Sequence, residues 1–262
     1  MADSVVSLVT PLILTYNEEP NIKRTLESLL WAERVVVLDS GSTDGTKSVA
    51  RLFPNVSWYV RPFDYHCAQW KHGIHNTDIA TDFVLALDAD MSVPATFVEE
   101  MGKNFTHEYT GGVTPFEFRI LGYPLAGSIY PAQLRLFRGD CVEISQQGHT
   151  QEFSTKGSVY RFDTPLIHDD RKPLERWVSS QASYSALEAK RIAAGNSFRF
   201  RDRLRQLGLM PVIAGALAFI RAGGPWRGAA AVRYAYERAA YECLLSIRLM
   251  SSRLEKNKKS SE

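Results

Sequence analysis

The feature that most constrains this chain is the alternation of apolar, β-branched runs with segments of helical periodicity. Residues 5–14 and 34–38 are continuous apolar runs of the kind found in buried parallel strands. Between them, residues 22–32 place apolar side chains at helical spacing, and strand-like runs recur at 56–60 and 82–87. This alternation predicts an α/β fold whose mainly parallel sheet is flanked by helices.

The pattern changes after residue 110. Short strand-like pieces with turns, interrupted by Pro115 and Pro124, predict an antiparallel extension of the sheet. Helical patterns dominate from Pro173 onward, with one helix expected to end at Gly195 and a helical hairpin to follow. We therefore predict an α/β domain over 1–170 made of halves 1–100 and 101–170, a C-terminal helical extension over 171–255, and a tail over 256–262.

Charge is unevenly distributed, although the formal net charge is only +2. Residues 199–262 contain 13 Lys and Arg against 5 Asp and Glu. An apolar run over 207–220 follows alternating arginines in this segment and is shorter than the ~20 residues that span a bilayer. We expect a helix lying at a membrane surface, with a buried helix or a dimer contact as alternatives. The long apolar runs between arginines disfavour nucleic-acid binding.

The three cysteines, Cys67, Cys141 and Cys243, include no closely spaced pair, so neither a disulfide framework nor a zinc site is expected. This usage is typical of a reducing, cytoplasmic setting. The first apolar run lacks a preceding basic region and is broken by Pro11, so we interpret it as a strand and not as a signal peptide. No GxGxxG follows it, which disfavours a dinucleotide-binding dehydrogenase.

Polar clusters follow three of the predicted parallel strands, at 15–17, 39–44 and 88–90. Ligands of open α/β sheets bind outside the carboxyl ends of the strands, so one cleft is expected to collect these clusters. Asp88 and Asp90 are two residues apart, and in an extended segment they would face one Mg²⁺ or Mn²⁺ ion. The alternative is a polar loop with two turn-forming aspartates.

The other two clusters suit a nucleotide. Asp39 can accept a hydrogen bond from the ring N–H of a pyrimidine base, while Gly41 allows a tight turn. The segment TYNEEPNI could receive the base or the ribose. The alternative for the segment around Asp39 is an ordinary βα turn. The alternative for TYNEEPNI is a helix cap provided by Asn17 or Asn21.

In this order and spacing, the three motifs TYNEEPNI, LDSGSTDGT and LDAD resemble the donor half of a family 2 glycosyltransferase with the GT-A fold. The segments AQWKHG, LRLFRGD, GHTQ and IHDDRKPLERW are similar to those of bacterial transferases that build lipopolysaccharide core and related envelope glycans. The resemblance implies that 1–100 binds a nucleotide-sugar, usually a UDP-sugar, and that 101–170 forms the acceptor half.

The expected donor contacts lie in these motifs and at three basic positions beyond them. They are Thr15, Tyr16, Asn17, Glu18, Asp39, Gly41, Lys71, Asp88, Ala89, Asp90, Arg135 and Arg138. Lys71 lies where a basic residue could reach the diphosphate, or it faces solvent. The two arginines alternate with leucines on a predicted strand, so they either line the cleft as anion contacts or face solvent.

The resemblance also implies an inverting transfer, in which a general base deprotonates the acceptor hydroxyl. The candidates are Glu152, Asp169 and Asp170. In related enzymes a late histidine can be a third metal ligand, and His168 is placed for that role. Related core transferases often carry a His-Glu pair where this chain has HTQEF, and this departure leaves the base unassigned.

These observations together predict an inverting, metal-dependent glycosyltransferase that moves a sugar from a UDP-sugar to a lipid-linked or membrane glycan acceptor. Its expected place is cytoplasmic, peripheral at the inner face of the cytoplasmic membrane, in bacterial lipopolysaccharide or polysaccharide synthesis. One alternative is a soluble transferase acting on a protein or small-molecule acceptor. Another is a catalytically silent nucleotide-binding module, against which the intact Asp88 and Asp90 argue.

Overall fold

A computed structural model describes residues 5–147, 150–193 and 200–259. The predicted helix end at Gly195 and the first two residues of GHTQ lie outside these ranges. The chain forms two compact units. Unit 1 comprises Met1–Gly122 and Tyr130–Arg171, and unit 2 comprises Tyr123–Ile129 and Lys172–Glu262.

Strands and helices alternate through the first part of unit 1, after a short 3₁₀ helix at Val5–Leu8. In chain order they are β1 (Val9–Thr15), α1 (Glu19–Glu27), β2 (Val35–Asp39), α2 (Thr46–Ala50), β3 (Val56–Val60), α3 (His66–His75), β4 (Phe83–Asp88), β5 (Met91–Ser92), α4 (Ala95–Asn104), β6 (Gly111–Thr114) and β7 (Phe116–Ile120). A short strand of unit 2, β8 (Tyr123–Pro124), comes next. Unit 1 then continues with β9 (Gln133–Arg138), β10 (Val142–Gln147), β11 (Thr150–Thr155), β12 (Val159–Arg161) and β13 (Leu166–His168).

The central sheet of unit 1 has the strand order β12-β6-β9-β4-β1-β2-β3. Strands β4, β1, β2 and β3 are parallel neighbours, and β9 runs antiparallel to both β4 and β6. Strand β13 pairs with β5 and β7, and β10 and β11 form an antiparallel hairpin. The predicted α/β fold with a mainly parallel sheet is therefore confirmed.

Both faces of the sheet are covered, which explains the continuous apolar runs in the sequence. Successive residues of β1 enter opposite layers: Ile13 packs with Ile22 of α1 and Phe97 of α4, whereas Leu12 packs with Trp70 of α3. All five side chains are fully buried. Burial of each large apolar side chain stabilises the fold by roughly 1.5–3 kcal/mol. This core therefore fixes the strands that carry the polar clusters.

Helix α3 approaches β1 closely at Gly73. A Cβ atom at this position would lie 2.8 Å from Cδ2 of the buried Leu12. Overpacking a dense core costs about 1–3 kcal/mol, which exceeds the roughly 1 kcal/mol that alanine gains over glycine inside a helix. We expect Gly73→Ala to lower the free energy of unfolding by about 1–2 kcal/mol, measured by urea denaturation. The control is Gly139→Ala, whose Cβ would come no closer than 3.6 Å to its neighbours; an equal loss in both variants would contradict this account.

Unit 2 consists mainly of helices. They are α5 (Leu174–Ala193), α6 (Phe200–Gln206), α7 (Met210–Arg221) and α8 (Gly228–Lys259), with a 3₁₀ turn at Gly224–Arg227 between the last two. Helix α8 packs against the other three and includes residues 256–259, which the sequence had assigned to a tail. Among the described residues, no single helix is long and apolar enough to cross a bilayer; α6 and α7 meet that test only as a pair bent by 115°.

A buried ion-pair cluster fastens α6 to α8. The Arg205 guanidinium donates from Nε to Glu242 Oε2 at 2.8 Å and from Nη1 to Asp202 Oδ1 at 2.8 Å. Burial lowers the pKa of Arg205, but the contacts with Glu242 and Asp202 outweigh burial and raise the pKa above its usual value. Losing one carboxylate would leave the arginine charge partly buried and unbalanced, so this cluster selects one arrangement of the two helices.

Candidate active site

The carboxyl ends of three neighbouring strands bring the predicted polar clusters together. Thr15 at the end of β1 lies opposite Asp39 at the end of β2, and Leu14 lies opposite Asp88 at the end of β4. The sheet order β4-β1-β2 therefore places the three motifs side by side at one edge of unit 1. This edge is the position at which open α/β sheets bind ligands.

Asp39 shapes the loop that follows β2. Its Oδ2 accepts hydrogen bonds from the N–H groups of Gly41 at 3.0 Å and Ser42 at 2.8 Å, and its Oδ1 accepts from Ser42 Oγ at 2.5 Å. Gly41 is exposed with a φ of +94°, a conformation that favours glycine. A carboxylate accepts about four hydrogen bonds, so Asp39 retains capacity for a base N–H beyond its role in the loop.

The loop after β1 is locked to the loop after β2. Asn17, at a φ of +54°, donates from its backbone N–H to Ser42 Oγ at 2.7 Å, and its Oδ1 accepts from the Thr43 N–H at 2.7 Å. The Glu18 N–H donates to Thr46 Oγ1 at 2.7 Å. The alternative interpretation, a helix cap provided by Asn17 or Asn21, is wrong: α1 begins at Glu19, Asn21 lies inside it, and no side-chain hydrogen bond caps it. Asn17 and Glu18 thus hold two donor motifs in register.

Two further residues of the first motif face the strand end. Tyr16 is 51% exposed, so its ring is accessible. Thr15 is buried, and its Oγ1 makes no hydrogen bond within the described residues. A buried hydroxyl without a partner costs free energy, and a ligand group at this strand end would remove that cost.

Asp88 and Asp90 face different partners. Asp88 ends β4, whereas Asp90 lies in the following turn, so the expectation of one extended segment was wrong. Asp88 Oδ2 lies 3.4 Å from Arg135 Nη2, and Asp90 Oδ1 lies 3.7 Å from His168 Nε2. Ala89 between them is buried, and its carbonyl oxygen accepts a hydrogen bond from Thr25 Oγ1 at 2.7 Å. The turn is thereby anchored to α1.

His168 lies next to Asp90, but the described residues do not form a complete metal site. Strand β13 pairs antiparallel with β5, with His168 opposite Met91, and the imidazole stacks on Phe118 with ring centroids 4.7 Å apart. Over residues 5–147, 150–193 and 200–259, no group of three or more His, Cys, Asp or Glu side chains is close enough to hold a metal ion. Any metal at Asp90 and His168 would need further oxygen ligands from a substrate.

Arg135 is buried beside Asp88, with only 5% of its surface exposed. Its Nη2 donates to Gln133 Oε1 at 2.9 Å, and its guanidinium lies over the Phe116 ring, 5.5 Å from the centroid. Nε and Nη1 have no hydrogen-bond partner in the described part of the chain. Two unsatisfied donors on a buried cation are costly, and an anionic ligand would satisfy them.

Arg138 lies at the other edge of the sheet. Strand β9 runs antiparallel to β4, so Arg138 pairs with Phe83 at the amino end of β4, roughly 17 Å along the strand from Asp88. There the guanidinium lies 3.7 Å from Asp140 and 3.9 Å from Asp82. The prediction that Arg138 contacts the donor is therefore wrong.

The candidate bases differ in their surroundings. Asp169 is 1% exposed; its Oδ1 accepts from the Gly122 N–H at 3.0 Å, and its Oδ2 from Arg171 Nε at 2.9 Å. These contacts make Asp169 a structural residue and contradict its predicted role as general base. Asp170 is only partly buried, and its Oδ1 accepts from Asn21 Nδ2 at 3.0 Å.

Glu152 and Lys71 are both exposed. Glu152 lies on β11, on the face opposite Phe153, whose ring packs 5.3 Å from that of Trp70. Lys71 lies on α3, next to Trp70. The roles predicted for these two side chains stay predictions.

Three residues that the sequence did not single out for this site also contribute. Asn21, fully buried, donates to Glu18 Oε2 at 2.8 Å as well as to Asp170, and so joins the first motif to the last. Burial lowers the pKa of Arg24, while the charges of Asp169, Asp90 and Asp170 oppose that effect. Burial likewise lowers the pKa of His66, at the start of α3, while the charge of Asp88 opposes it.

Residues 11–124 match the sequence model of glycosyl transferase family 2. They form a family 2 glycosyltransferase domain. The matched segment is 114 of the 262 residues of the chain, and domains of this family transfer sugar from a nucleotide-sugar donor. The matched segment carries all three donor motifs of unit 1, but Arg135, Glu152, His168, Asp169 and Asp170 lie beyond it.

Solved structures similar to the chain share little sequence with it. Staphylococcus aureus TarS 1-349 in complex with UDP is 14% identical with a TM-score of 0.44, covering 94% of this chain and 91% of that chain. The chain covers 55% of a longer S. aureus TarS structure at 15% identity and a TM-score of 0.42. Glucosyl-3-phosphoglycerate synthase from Mycobacterium tuberculosis, with Mn²⁺, UDP and phosphoglyceric acid, is 12% identical with a TM-score of 0.43, covering 73% of this chain and 80% of that one. A sequence search of curated proteins found no match.

Proposed function

We propose that this chain is an inverting glycosyltransferase that uses a UDP-sugar and a divalent cation, and that its acceptor is a lipid-linked glycan of the bacterial envelope. The observation that carries the donor part is the adjacency of the three motif-bearing strand ends, with Thr15 opposite Asp39 and Leu14 opposite Asp88. The membrane part rests on unit 2. The proposed location is the inner face of the cytoplasmic membrane.

In the proposed donor complex, the nucleoside lies at the ends of β1 and β2. Asp39 would accept the base N–H, Thr15 Oγ1 would gain a partner, and the exposed Tyr16 would offer a ring face to the base. Asn17 and Glu18 hold these groups in place. The diphosphate would reach Arg135, whose two unsatisfied nitrogens, Nε and Nη1, suit an anion. Lys71 is a further candidate for the same diphosphate.

The residues present fit a hard divalent cation. Asp90 Oδ1 and His168 Nε2 lie 3.7 Å apart and would be its ligands from this chain, with the remaining oxygen ligands coming from the substrate. When bound, the cation would act as a Lewis acid and neutralise negative charge on the leaving diphosphate. Oxygen and imidazole ligands suit Mg²⁺ or Mn²⁺.

For the general base we propose Asp170, with Glu152 as the second candidate. Asp170 is partly exposed, follows His168 by two residues, and is held by Asn21 at 3.0 Å. Such a carboxylate would take the proton from the acceptor hydroxyl as that oxygen attacks the sugar on the side opposite the leaving diphosphate. The proximity of Asp170 to the His168 strand end supports this choice.

The membrane proposal rests on the outward face of α7. From Val212 to Ile220 its exposed side chains are all apolar, with Val212 72% and Ile220 71% exposed, while Ala214 and Ala218 face inward. Exposed arginines precede and follow this face: Arg201, Arg203, Arg221 and Arg227. None of the four makes an ion pair within the described residues. An apolar helix face flanked by cations is typical of a helix lying on an anionic bilayer.

Vesicle binding tests this proposal. We expect the purified chain to float with vesicles of phosphatidylcholine and phosphatidylglycerol, and Ile220→Glu to weaken that binding about tenfold or more, because a buried isoleucine contributes roughly 1.5–3 kcal/mol. The matched control is Leu52→Glu, which adds the same charge at an exposed leucine of unit 1. Equal binding by wild type and Ile220→Glu would overturn the membrane assignment and favour the soluble-acceptor alternative.

A further inference from the structure

A groove of about 350 Å³ runs between α7 and α8 in unit 2. Its floor is made of small residues, Gly215 of α7 with Ala235 and Ala239 of α8. A Cβ atom at Gly215 would lie 3.3 Å from Ala239 Cβ and 3.5 Å from the Ala235 carbonyl oxygen, so the two helices are in close contact there. Phe219 and Tyr236 line the same groove with larger side chains. No charged side chain lines it among the described residues.

The shape of the groove suits a hydrocarbon chain. On α7 its lining extends from Pro211 to Phe219, which corresponds to roughly 12 Å of helix. A narrow groove with a floor of methyl groups and backbone offers contact along its length, and among the described residues it offers no charged group that would bind a compact ionic ligand. Tyr236, which lines the groove, is 71% exposed, so the groove is open to the surface.

One end of the groove lies beside a cationic turn. A Cβ atom at Gly224 would lie 3.8 Å from both Phe219 Cε1 and Trp226 Cε3, so the Phe219 end of the groove adjoins the turn between α7 and α8. That turn carries Arg227, and Arg221 ends α7; both arginines are exposed and without an ion pair in the described part of the chain. Trp226 is 90% exposed at the same turn, and such rings favour a membrane interface.

Charge decides which occupant fits. A second copy of this chain would bring another segment with 13 Lys and Arg against 5 Asp and Glu to the same face, and like charges oppose that contact. An anionic lipid would instead place its hydrocarbon chain in the groove and its negative charge at Arg221 and Arg227. We propose that the α7–α8 groove binds the hydrocarbon tail of the phosphate-bearing, lipid-linked acceptor, with its phosphate at these two arginines. This inference rests on the proposed function, which supplies a lipid-linked acceptor.

Farnesyl phosphate, kept below its micelle concentration, is the probe for this site, and its binding to the full chain is measured by calorimetric titration without vesicles. Ala216→Phe fills the groove from an exposed lining position, and we expect it to weaken binding about tenfold or more. The matched control is Leu217→Phe, which places the same ring on the neighbouring exposed residue outside the groove and should leave binding unchanged. Farnesol should bind more weakly than farnesyl phosphate, and Arg221→Gln with Arg227→Gln should remove that difference.

Equal weakening by Ala216→Phe and Leu217→Phe, or no binding of farnesyl phosphate to wild type, would overturn the groove assignment. A change of oligomeric state in Ala216→Phe, seen by light scattering without any change in probe binding, would identify a self-association surface and also overturn it. Vesicle flotation of the same proteins separates this inference from the membrane proposal. Flotation that persists in Ala216→Phe while probe binding is lost supports both, whereas probe binding without flotation retains the groove and rejects the membrane location.

Discussion

Asp90→Asn is expected to lower the Mn²⁺-dependent affinity for UDP by about two orders of magnitude, or about 2.7 kcal/mol, because the cation that would neutralise the diphosphate loses a charged ligand. In wild type, calorimetric titration of UDP should give tight binding with Mn²⁺ and weak binding with a chelator. In Asp90→Asn, the two conditions should give nearly the same weak affinity. Asparagine matches aspartate in shape, so the turn between β4 and β5 should persist.

Asp90 is a better position than Asp88 for testing the cation site, because a substitution of Asp88 would also disturb its contact with Arg135. The carboxylate of Asp88 lies 3.4 Å from the buried guanidinium of Arg135, so removing its charge leaves a buried cation without that counter-charge. Breaking such a pair destabilises the fold as well as the donor site. His168→Gln should have a smaller effect than Asp90→Asn, because histidine contributes no negative charge to the site.

The same strand supplies the control for the donor titration. Asp82 precedes the amino end of β4, at the opposite edge of the sheet from Asp90, and Asp82→Asn removes one carboxylate without touching the donor motifs. Its UDP affinity should equal that of wild type in both conditions, and GDP should bind more weakly than UDP. Metal-independent UDP binding that survives in Asp90→Asn would reject the proposed cation site. Failure of wild type to bind either nucleotide would instead favour the silent-module alternative.

The donor half of the fold could be predicted because its signals are local. Each apolar run of β1, β2 and β4 lies next to its own polar motif in sequence, and parallel pairing brings the three motifs to one edge. No long-range information beyond the alternation of strands and helices was needed. The role of Asp39 within its own loop could not be predicted, because the sequence does not show that the N–H groups of Gly41 and Ser42 donate hydrogen bonds to its carboxylate.

The acceptor half could not be predicted in the same way. Arg135 and Arg138 share one strand, but only the direction of β9 beside β4 decides that one lies near Asp88 and the other near Asp82. Strand direction depends on the topology of the whole sheet, which spacing does not encode. Asn21 illustrates the same limit, because its partner Asp170 is 149 residues away in sequence.

The adjacent carboxylates Asp169 and Asp170 are the sharpest example. Both follow His168 and both were candidates for the general base. Their difference comes from tertiary contacts: Arg171 and the Gly122 N–H occupy the buried Asp169, while Asp170 stays partly exposed beside Asn21. A pattern of residue types cannot separate two neighbours of the same type, but burial and hydrogen bonding do.

Asp170→Asn is therefore expected to lower kcat by about 10²- to 10⁴-fold, the usual contribution of a positioned general base. Affinity for UDP with Mn²⁺ should stay close to that of wild type, because the proposed role of Asp170 concerns the acceptor proton and not the donor. The measurement is UDP release from a panel of UDP-sugars with washed bacterial inner membranes as acceptor. A large rise in KM with an unchanged kcat would point instead to acceptor binding.

Two further variants show whether the loss of kcat in Asp170→Asn reflects the loss of the general base. Asp169→Asn removes a carboxylate whose Oδ2 lies 2.8 Å from Arg171 Nη2, and it should lower the free energy of unfolding by about 1–3 kcal/mol, whereas Asp170→Asn should leave stability nearly unchanged. Glu152→Gln tests the second candidate base at an exposed position of β11. If Glu152→Gln loses kcat by the larger factor and Asp170→Asn stays active, the base lies on the β10–β11 hairpin, and Asp170 serves to hold Asn21 and the first donor motif in place.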